Sequence, residues 1–217
     1  DGVAGLRIGI PRSWFFDHLQ DGIGAAVEQA IETLKGLGAE IREVALPGVG
    51  EGVGAVMGIA LLEAQEIHAR GLAESPQDFG ADVAAILGSQ GPDAAGVMTA
   101  LRARDALTVA TRQVMESVDL LLTPTTPIVA APIGDDNVTY GGIEEPILAA
   151  MIRCTAPFNA TGMPAISLPC GFTPSGLPVG LQHAGRPFDE ALVLRAAQAY
   201  EQATDWHTRI PDSPPAG

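Results

Sequence analysis

Five polar residues flank a proline-rich stretch in the middle of the sequence and could bind a small molecule. Thr125 and Thr126 follow the apolar run DLLLTP, while Arg153, Thr155 and Asn159 lie in the segment IRCTAPFN. Hydroxyl and amide groups donate and accept hydrogen bonds, and the planar guanidinium of arginine can bind a carboxylate or a carbonyl oxygen. A loop at the carboxyl end of a buried strand often lines a ligand cleft. We therefore predict that these residues line a substrate pocket, although Arg153 equally fits a buried salt bridge.

Catalytic groups are harder to find than binding groups. A hydrolase that forms a covalent intermediate needs a serine, cysteine or threonine held against a base, and the sequence contains no GxSxG motif. Ser167 lies within a strand pattern, where we expect it to face a neighbouring strand. Lys35, the only lysine, ends an amphipathic helix in TLKGLG, an exposed position that favours a cation. The sequence therefore predicts no catalytic residue.

The cysteines and histidines offer a second kind of chemistry. Cys154 or Cys170 could form a thiolate–imidazole pair with His183, but their apolar and proline neighbours favour inert burial. The four histidines are isolated from one another, and the adjacent carboxylates Asp135 and Asp136 lack the regular spacing of an oxygen-ligand loop. We therefore predict neither a metal site nor an organic cofactor.

A glycine pattern at residues 50–55, GEGVGA, fits the start of a dinucleotide-binding helix. That interpretation also needs an acidic residue about twenty positions further on, at the end of a second strand. The corresponding region, IHARGLAES, is typical of the end of a helix. We interpret the glycines as a glycine-rich helix start.

The composition argues against several classes of protein. With 47% hydrophobic and 18% charged residues among 217, the chain can bury a full core, and no apolar run approaches the roughly 20 residues of a membrane helix. A formal charge of -14 repels phosphate backbones and anionic membrane surfaces, so we predict neither a nucleic-acid nor a membrane partner. The sequence has no signal-peptide pattern, so we expect a cytoplasmic protein. Because GLRIGIP follows Asp1 almost directly, we expect the chain to be cut from a longer protein.

The N-terminal part of the sequence predicts a strand–helix–strand unit. A β-branched run from Leu6 to Ile10 ends at a proline, and apolar residues from Ile23 to Leu37 recur at helical spacing before Gly38. A second strand is predicted from Glu40 to Leu46. Such a unit is normally parallel and right-handed.

The remaining sequence predicts further elements of an α/β protein. Helices are predicted at residues 52–70, 93–118 and 188–202, strands at VDLLLTP, AISLP and VGLQHA, and an irregular stretch at residues 124–142. The predicted fold class is therefore α/β, with a mixed β-sheet flanked by helices. Residues 1–210 are predicted to form a single unit, and residues 211–217 a flexible tail.

Five segments, in this order, resemble the C-terminal half of the amidase signature hydrolases: GLRIGIP, ETLKGLGAEIREVALP, DLLLTPTTPIVA, FNATGMPAISLPCG and GLPVGLQHAGRPFDEALVLRAAQAYE. The resemblance implies an α/β/α sandwich and cleavage of amide C–N bonds by a Ser-cisSer-Lys triad. In that family all three catalytic residues lie in the N-terminal half, within a Gly/Ser-rich signature. This sequence contains no such signature, and Lys35 lies outside any matching position.

The resemblance also assigns roles within this sequence. In FNATGMPAISLPCGF, Asn159 and the GMP turn are expected to shape a wall near the cleft, AISLP is a strand, and Pro169 to Gly171 end it. Family members that make amidated tRNA carry an acidic residue about three positions before the threonine matching Thr155, where this sequence has Ile152. The resemblance therefore favours a general amidase over a glutamine amidotransferase.

Two hypotheses of function remain open at this level. The first is the C-terminal portion of an amidase that hydrolyses a small carboxamide, with a missing N-terminal half, on the same or a separate chain, as its partner. The second is a stand-alone, non-catalytic binding or assembly module derived from an amidase half, which would have to cover an exposed sheet edge. Either could form a homodimer.

Overall fold

The computed structural model describes residues 2–210, which contain a five-stranded sheet and a two-stranded hairpin. The strands are β1 (Arg7–Pro11), β2 (Glu40–Val44), β3 (Leu120–Pro124), β4 (Asn137–Tyr140), β5 (Ile143–Pro146), β6 (Ala165–Phe172) and β7 (Pro178–Ala184). The helices are α1 (Arg12–Phe15), α2 (Ile23–Gly36), α3 (Val49–Glu74), α4 (Ala81–Leu87), α5 (Ala94–Ser117), α6 (Ile147–Ile152), α7 (Ala156–Thr161) and α8 (Glu190–Gln202). Short 3₁₀ turns occur at Pro76–Asp78 and Trp206–Thr208.

The predicted strand–helix–strand unit is confirmed. β1 and β2 pair in parallel along their whole lengths, and α2 makes the connection between them. Gly38 has φ +93°, a left-handed conformation that glycine adopts without steric strain, and it follows the end of α2 as expected. β2 ends at Val44 and not at Leu46.

The mixed sheet is also confirmed. Its strand order is β2-β1-β3-β7-β6, in which β1 is parallel to β3 and β7 is antiparallel to both β3 and β6. Every residue of β3 is buried, as expected for a strand that is covered on both faces.

Helices pack on both faces of this sheet. Alternate residues of β3 point in opposite directions: Leu120 and Leu122 pack with residues of α2 and α8, whereas Leu121 packs with Val49 of α3 and Leu107 of α5. We refer to these two sides as the α2/α8 layer and the α3/α5 layer, and the second also includes α7. The predicted α/β class with flanking helices is therefore confirmed.

The glycine-rich segment at residues 50–55 lies in the first turns of α3, as predicted, and allows that helix to approach α5. A Cβ atom added at Gly52 would overlap Cδ2 of Leu107, whose side chain is fully buried. Glycine at this position is therefore explained by the packing of two helices.

One prediction about β6 is wrong. The strand does not end at Pro169 to Gly171 but continues to Phe172, and its register changes through a β-bulge between Pro169 and Gly171. Proline is compatible with this position because β6 is an edge strand of the five-stranded sheet, where a missing N–H group can face away from the ladder.

The irregular stretch predicted at residues 124–142 is only partly correct. β4 begins at Asn137 and pairs antiparallel with β5. The short helices α6 and α7 follow, and the sequence pattern predicts neither of them because each has only 6 residues. α8 begins at Glu190, later than predicted, since Phe188 has φ 68°, outside the helical region.

The predicted tail at residues 211–217 lies outside the described residues, and the assignment of residues 1–210 to a single unit stays a prediction. Within residues 2–210, no helix combines the length and the apolar character that a membrane crossing requires.

Candidate functional site

Two of the predicted pocket residues, Thr125 and Thr126, directly follow the carboxyl end of β3. The Thr125 hydroxyl lies 2.7 Å from the hydroxyl of Ser167 on β6, and the Thr126 hydroxyl donates to the backbone oxygen of Ile128 at 2.7 Å. Thr125 and Ser167 can meet across β7 because Gly180 lies between them: a Cβ there would lie 2.7 Å from Thr125 Oγ1 and 3.2 Å from Ser167 Oγ. The strand position predicted for Ser167 is confirmed, and its hydroxyl takes part in this polar pair.

The other three candidates, Arg153, Thr155 and Asn159, lie on the turn between α6 and α7 and on α7 itself. The Thr155 hydroxyl donates to the backbone oxygen of Ile152 at 3.3 Å, at the end of α6. Asn159 lies within α7 and its side chain is exposed. Among the hydrogen bonds of residues 2–210, none joins this group directly to the threonines after β3.

A buried glutamine links the two groups indirectly. The side-chain amide of Gln182, on β7, donates to the hydroxyl of Thr123 at 3.0 Å and to the backbone oxygen of Cys154 at 3.1 Å. Thr123 belongs to β3, and Cys154 belongs to the turn between α6 and α7. Because a buried amide without partners is costly, these two bonds hold the turn in a defined position relative to the end of β3.

Arg153 stacks on an aromatic ring and has no acidic partner in the described part of the chain. Its guanidinium carbon lies 4.0 Å from the centre of the Trp14 ring, and the indole N–H of Trp14 donates to the backbone oxygen of Arg153 at 3.1 Å. Arg153 takes part in none of the salt bridges within residues 2–210. Its Nε atom is buried and has no hydrogen-bond partner there. Within residues 2–210, Arg153 therefore forms no buried salt bridge, and its role in substrate binding stays a prediction.

Trp14 has a strained backbone, with φ 75° and ψ -53°. A positive φ is rare for a bulky residue and is found mostly where the surrounding structure holds it for a functional reason. Its backbone N–H donates to Asp17 Oδ2 at 2.8 Å. Its ring packs on Gly50, where an added Cβ would lie 2.9 Å from Cζ3 of the indole. Asp17 thus binds the backbone of Trp14, while Gly50 and the backbone oxygen of Arg153 contact its indole.

Trp14 and Arg153 line a cavity of about 330 Å³ between α3 and α6, which we refer to as the α3/α6 cavity. Glu145 also lines it and accepts a hydrogen bond from the hydroxyl of Tyr140. Burial and the neighbouring Glu145 carboxylate raise the pKa of Tyr140, so this phenol remains a hydrogen-bond donor at neutral pH. The rest of the lining is apolar and consists of Val53, Gly54, Met57, Pro146, Leu148, Ala149 and Ile152.

The thiols and the only lysine lie outside any reactive arrangement within the described residues. Cys154 packs in the α3/α5 layer and Cys170 in the α2/α8 layer. Burial raises the pKa of each thiol to about 12 and lowers the pKa of His183 to about 4. All three groups are therefore uncharged at neutral pH, which favours inert burial over a thiolate–imidazole pair. Lys35 is exposed at the end of α2, 3.3 Å from Glu32.

Comparison with known proteins identifies the family of this chain. Residues 3–194 match the family model described as Amidase. The chain belongs to the amidase family. An amidase of Pseudomonas putida is 40% identical over 218 residues, a match that covers 100% of this chain and 47% of that protein. A glutamyl-tRNA(Gln) amidotransferase subunit of Chloroflexus aggregans is 42% identical, over 97% of this chain and 47% of its own length. The chain thus spans about half the length of the curated relatives it matches.

Solved structures of other amidase-family proteins have the same fold. A crystal structure of an amidase superposes with a TM-score of 0.82 and 31% identity, covering 94% of this chain and 46% of the other. A glutamyl-tRNA(Gln) amidotransferase subunit of Thermotoga maritima superposes with a TM-score of 0.69 and 28% identity, covering 93% of this chain and 43% of its own. The resemblance of the five sequence segments to the amidase signature hydrolases is therefore confirmed.

The sequence analysis does not identify three residues of this candidate site: Trp14, Glu145 and Gln182. Trp14 contacts Arg153 across 139 positions of sequence, and a strained backbone leaves no pattern in the sequence. Glu145 lies beside Glu144 in an acidic pair, which is more typical of a solvated loop. Gln182 could have been found, because an amide within the apolar strand VGLQHA has to find buried hydrogen-bond partners.

Proposed function

We propose that this chain forms the C-terminal portion of an amidase that hydrolyses carboxamide C–N bonds, and that it supplies scaffold and one wall of the substrate pocket. The observation that carries this proposal is Arg153, a cation that lines a mostly apolar cavity and has no acidic partner within residues 2–210. The pocket residues we propose are Thr125, Thr126, Arg153, Thr155 and Asn159.

The proposed roles of the C-terminal and N-terminal halves follow from the reactive side chains that this chain contains. Its thiols are buried and neutral, and the exposed ammonium group of Lys35 pairs with Glu32. The nucleophilic serine, its lysine base and the bridging serine would therefore come from an N-terminal amidase half, on the same or on a separate chain, as the family resemblance implies. The residues of this chain would bind and orient the substrate while that half attacks the amide carbonyl.

A general amidase is favoured over a glutamine amidotransferase. Relatives of both kinds match this chain with similar identity, so overall similarity does not separate them. The position that is acidic in the tRNA-dependent subgroup is Ile152 here, and Ile152 belongs to the apolar lining of the α3/α6 cavity. An apolar residue at this position cannot bind a cationic or hydrogen-bond-donating group of a substrate as a carboxylate would.

The proposal is tested with the complete amidase, assembled from this chain and the N-terminal half. Hydrolysis of a panel of small carboxamides is measured for the wild type, Arg153→Ala and the control Leu61→Ala, a residue of α3 outside the cavity lining. We expect Arg153→Ala to raise KM about tenfold or more, because a charge-assisted hydrogen bond to substrate is lost. Equal effects of the two variants would remove Arg153 from the pocket, and no turnover of any carboxamide would overturn the proposed function.

The second candidate function is a non-catalytic binding or assembly module. The buried α2/α8 layer favours it, because this layer forms a continuous core without residues from elsewhere. Expression of residues 1–217 alone separates the two candidates. A soluble monomer with a sharp thermal transition supports the module, whereas aggregation that an added N-terminal half relieves supports the amidase portion. A cytoplasmic location and a homodimer remain part of the proposal for either candidate.

A further inference from the structure

We propose that the α3/α6 cavity selects amides that carry a carboxylate on an apolar body, with Arg153 binding the carboxylate and Trp14 holding Arg153 in place. This inference rests on the proposed function and names the substrate class of the same site. Three properties of the cavity carry it: the chemistry of its lining, the free donors of Arg153 and the way in which Trp14 is fixed.

The lining of the cavity determines the apolar part of the ligand. Apart from Arg153 and Glu145, the side chains that line it are hydrocarbon, thioether or aromatic. A volume of about 330 Å³ accommodates a body of the size of a phenyl ring with a short chain. Such a body removes apolar surface from water on binding, which favours an apolar ligand in this cavity.

The donors of Arg153 determine the polar end of the ligand. The indole of Trp14 covers one face of its guanidinium, and the donors of the group lie in the guanidinium plane. The Nε–H donor is buried without an acceptor in the described part of the chain. A carboxylate is planar and can accept two parallel hydrogen bonds from a guanidinium edge, so it fits this arrangement better than a hydroxyl or a single carbonyl oxygen.

Glu145 is the other charged group of the cavity and would favour a cation instead. Its carboxylate already accepts a hydrogen bond from the buried hydroxyl of Tyr140. Within residues 2–210, the side chain of Arg153 has no comparable partner. The unsatisfied group is therefore the cation, and this difference favours an anionic over a cationic ligand.

Trp14 acts in this proposal as a positioning residue. A hydrogen bond to Asp17 holds its backbone, which has a positive φ, and its ring packs against Gly50. The indole N–H then bonds the backbone of Arg153, while the ring face stacks on the guanidinium of the same residue. Smaller side chains at position 14 would leave the guanidinium free to rotate and would weaken its preference for a planar anion.

The test compares three ligands that share one body and differ in charge: 3-phenylpropionate, 3-phenylpropan-1-ol and 3-phenylpropylamine. Their dissociation constants for the complete form, assembled from this chain and the N-terminal half, are measured by calorimetry at low and moderate salt. We expect the carboxylate to bind about tenfold more tightly than the alcohol, with a preference that falls as salt rises.

Arg153→Gln should abolish this preference, and Arg153→Lys should retain only part of it because lysine lacks the planar fork. Arg70→Gln, an exposed change on α3, should leave all three constants unchanged.

Trp14→Phe should keep part of the preference for the carboxylate over the alcohol, and Trp14→Leu should lose most of it. In both variants, the dissociation constant of the alcohol should change less than that of the carboxylate. Thermal midpoints of the variants show whether each one is folded, and the Arg153→Lys result keeps the test valid if Arg153→Gln fails to fold.

Equal binding of carboxylate and alcohol, a preference that survives Arg153→Gln, or tighter binding of the amine through Glu145 would each overturn the inference. These measurements need no turnover, so they separate the inference from the proposed function. If the carboxylate is preferred while the complete form hydrolyses no carboxamide, the function fails and the inference stands. If the complete form hydrolyses carboxamides without preference for carboxylate-bearing ones, the function stands and the inference fails.

Discussion

The two helical layers of this molecule differ in how completely they are buried. In the α2/α8 layer, the 14-residue helix α2 buries Ile23, Val27, Ala30, Ile31 and Leu34 against the sheet. In the α3/α5 layer, the 26-residue helix α3 buries only Val49, Gly52 and Ala55, all in its first two turns. Beyond those turns, large apolar side chains such as Ile67 are exposed, in this case by 75%.

This difference indicates that one layer stabilises the fold and that the other binds ligand. The α2/α8 layer makes a continuous core with both parallel and antiparallel strands, so we expect it to contribute most of the folding free energy. The α3/α5 side contains the α3/α6 cavity, the strained Trp14 and the free donors of Arg153. Unsatisfied groups and strain are typical of binding sites, which a second, well-packed region has to stabilise.

The largest difference is expected when one large apolar side chain is removed from each layer. Leu122→Ala creates a cavity under the α2/α8 layer, where the side chain is fully buried, and should lower the free energy of unfolding by about 2–5 kcal/mol. Ile67→Ala, on the exposed part of α3, should change it by less than about 0.5 kcal/mol. Urea denaturation measures both. Similar losses for the two variants would mean that α3 is covered in solution.

A smaller effect is expected where α3 first contacts α5. Gly52→Ala would place a Cβ on Leu107 Cδ2, and the buried leucine has little room to move, so we expect a loss of about 1–3 kcal/mol. Gly54→Ala is the matched control, since nothing lies within 4 Å of its added Cβ. Helix propensity predicts that Gly54→Ala raises the free energy of unfolding by about 0.5–1 kcal/mol. Thermal denaturation that ranks the two variants in the opposite order would contradict this helix contact.

The smallest effect concerns the ion pair that joins β1 to the start of β3. The Arg7 side chain donates to Asp119 Oδ1 at 2.7 Å and to Oδ2 at 3.1 Å, and these bonds lower the pKa of Asp119 from 3.8 to about 2. Because the folded-state pKa is lowered, the contribution is fully present above about pH 4 and is lost as the pH falls toward 2. Asp119→Asn should therefore destabilise the protein at neutral pH, and the difference from the wild type should shrink in that acid range.

The control for this pH dependence is Asp105→Asn, whose side chain is 72% exposed beside Arg104. An exposed pair of this kind contributes little, so its variant should follow the wild type at every pH. A constant difference between Asp119→Asn and the wild type down to pH 2 would show that charge is not the source of the effect.

Sequence reasoning succeeded where the signal is local and failed where it is not. The periodicity of α2, the buried run in β3 and the βαβ order were all predicted, because each depends on neighbours within one element. The end of β6 was placed too early, since Pro169 and Gly171 are typical of a strand end but form a bulge within this one. α6 and α7 were missed because helices of 6 residues give almost no periodic signal.

By itself, the sequence determined the α/β class, the helices and strands of the core and, through five short segments, the family. These properties follow from residue patterns that repeat over a few positions, where side-chain direction is set by the helix or the strand. Only the tertiary structure decided that Trp14 stacks on Arg153, that Gln182 joins β3 to the turn after α6, and that Glu145 shares the cavity. These contacts join residues far apart in the chain, and packing of complete elements, not local preference, brings them together.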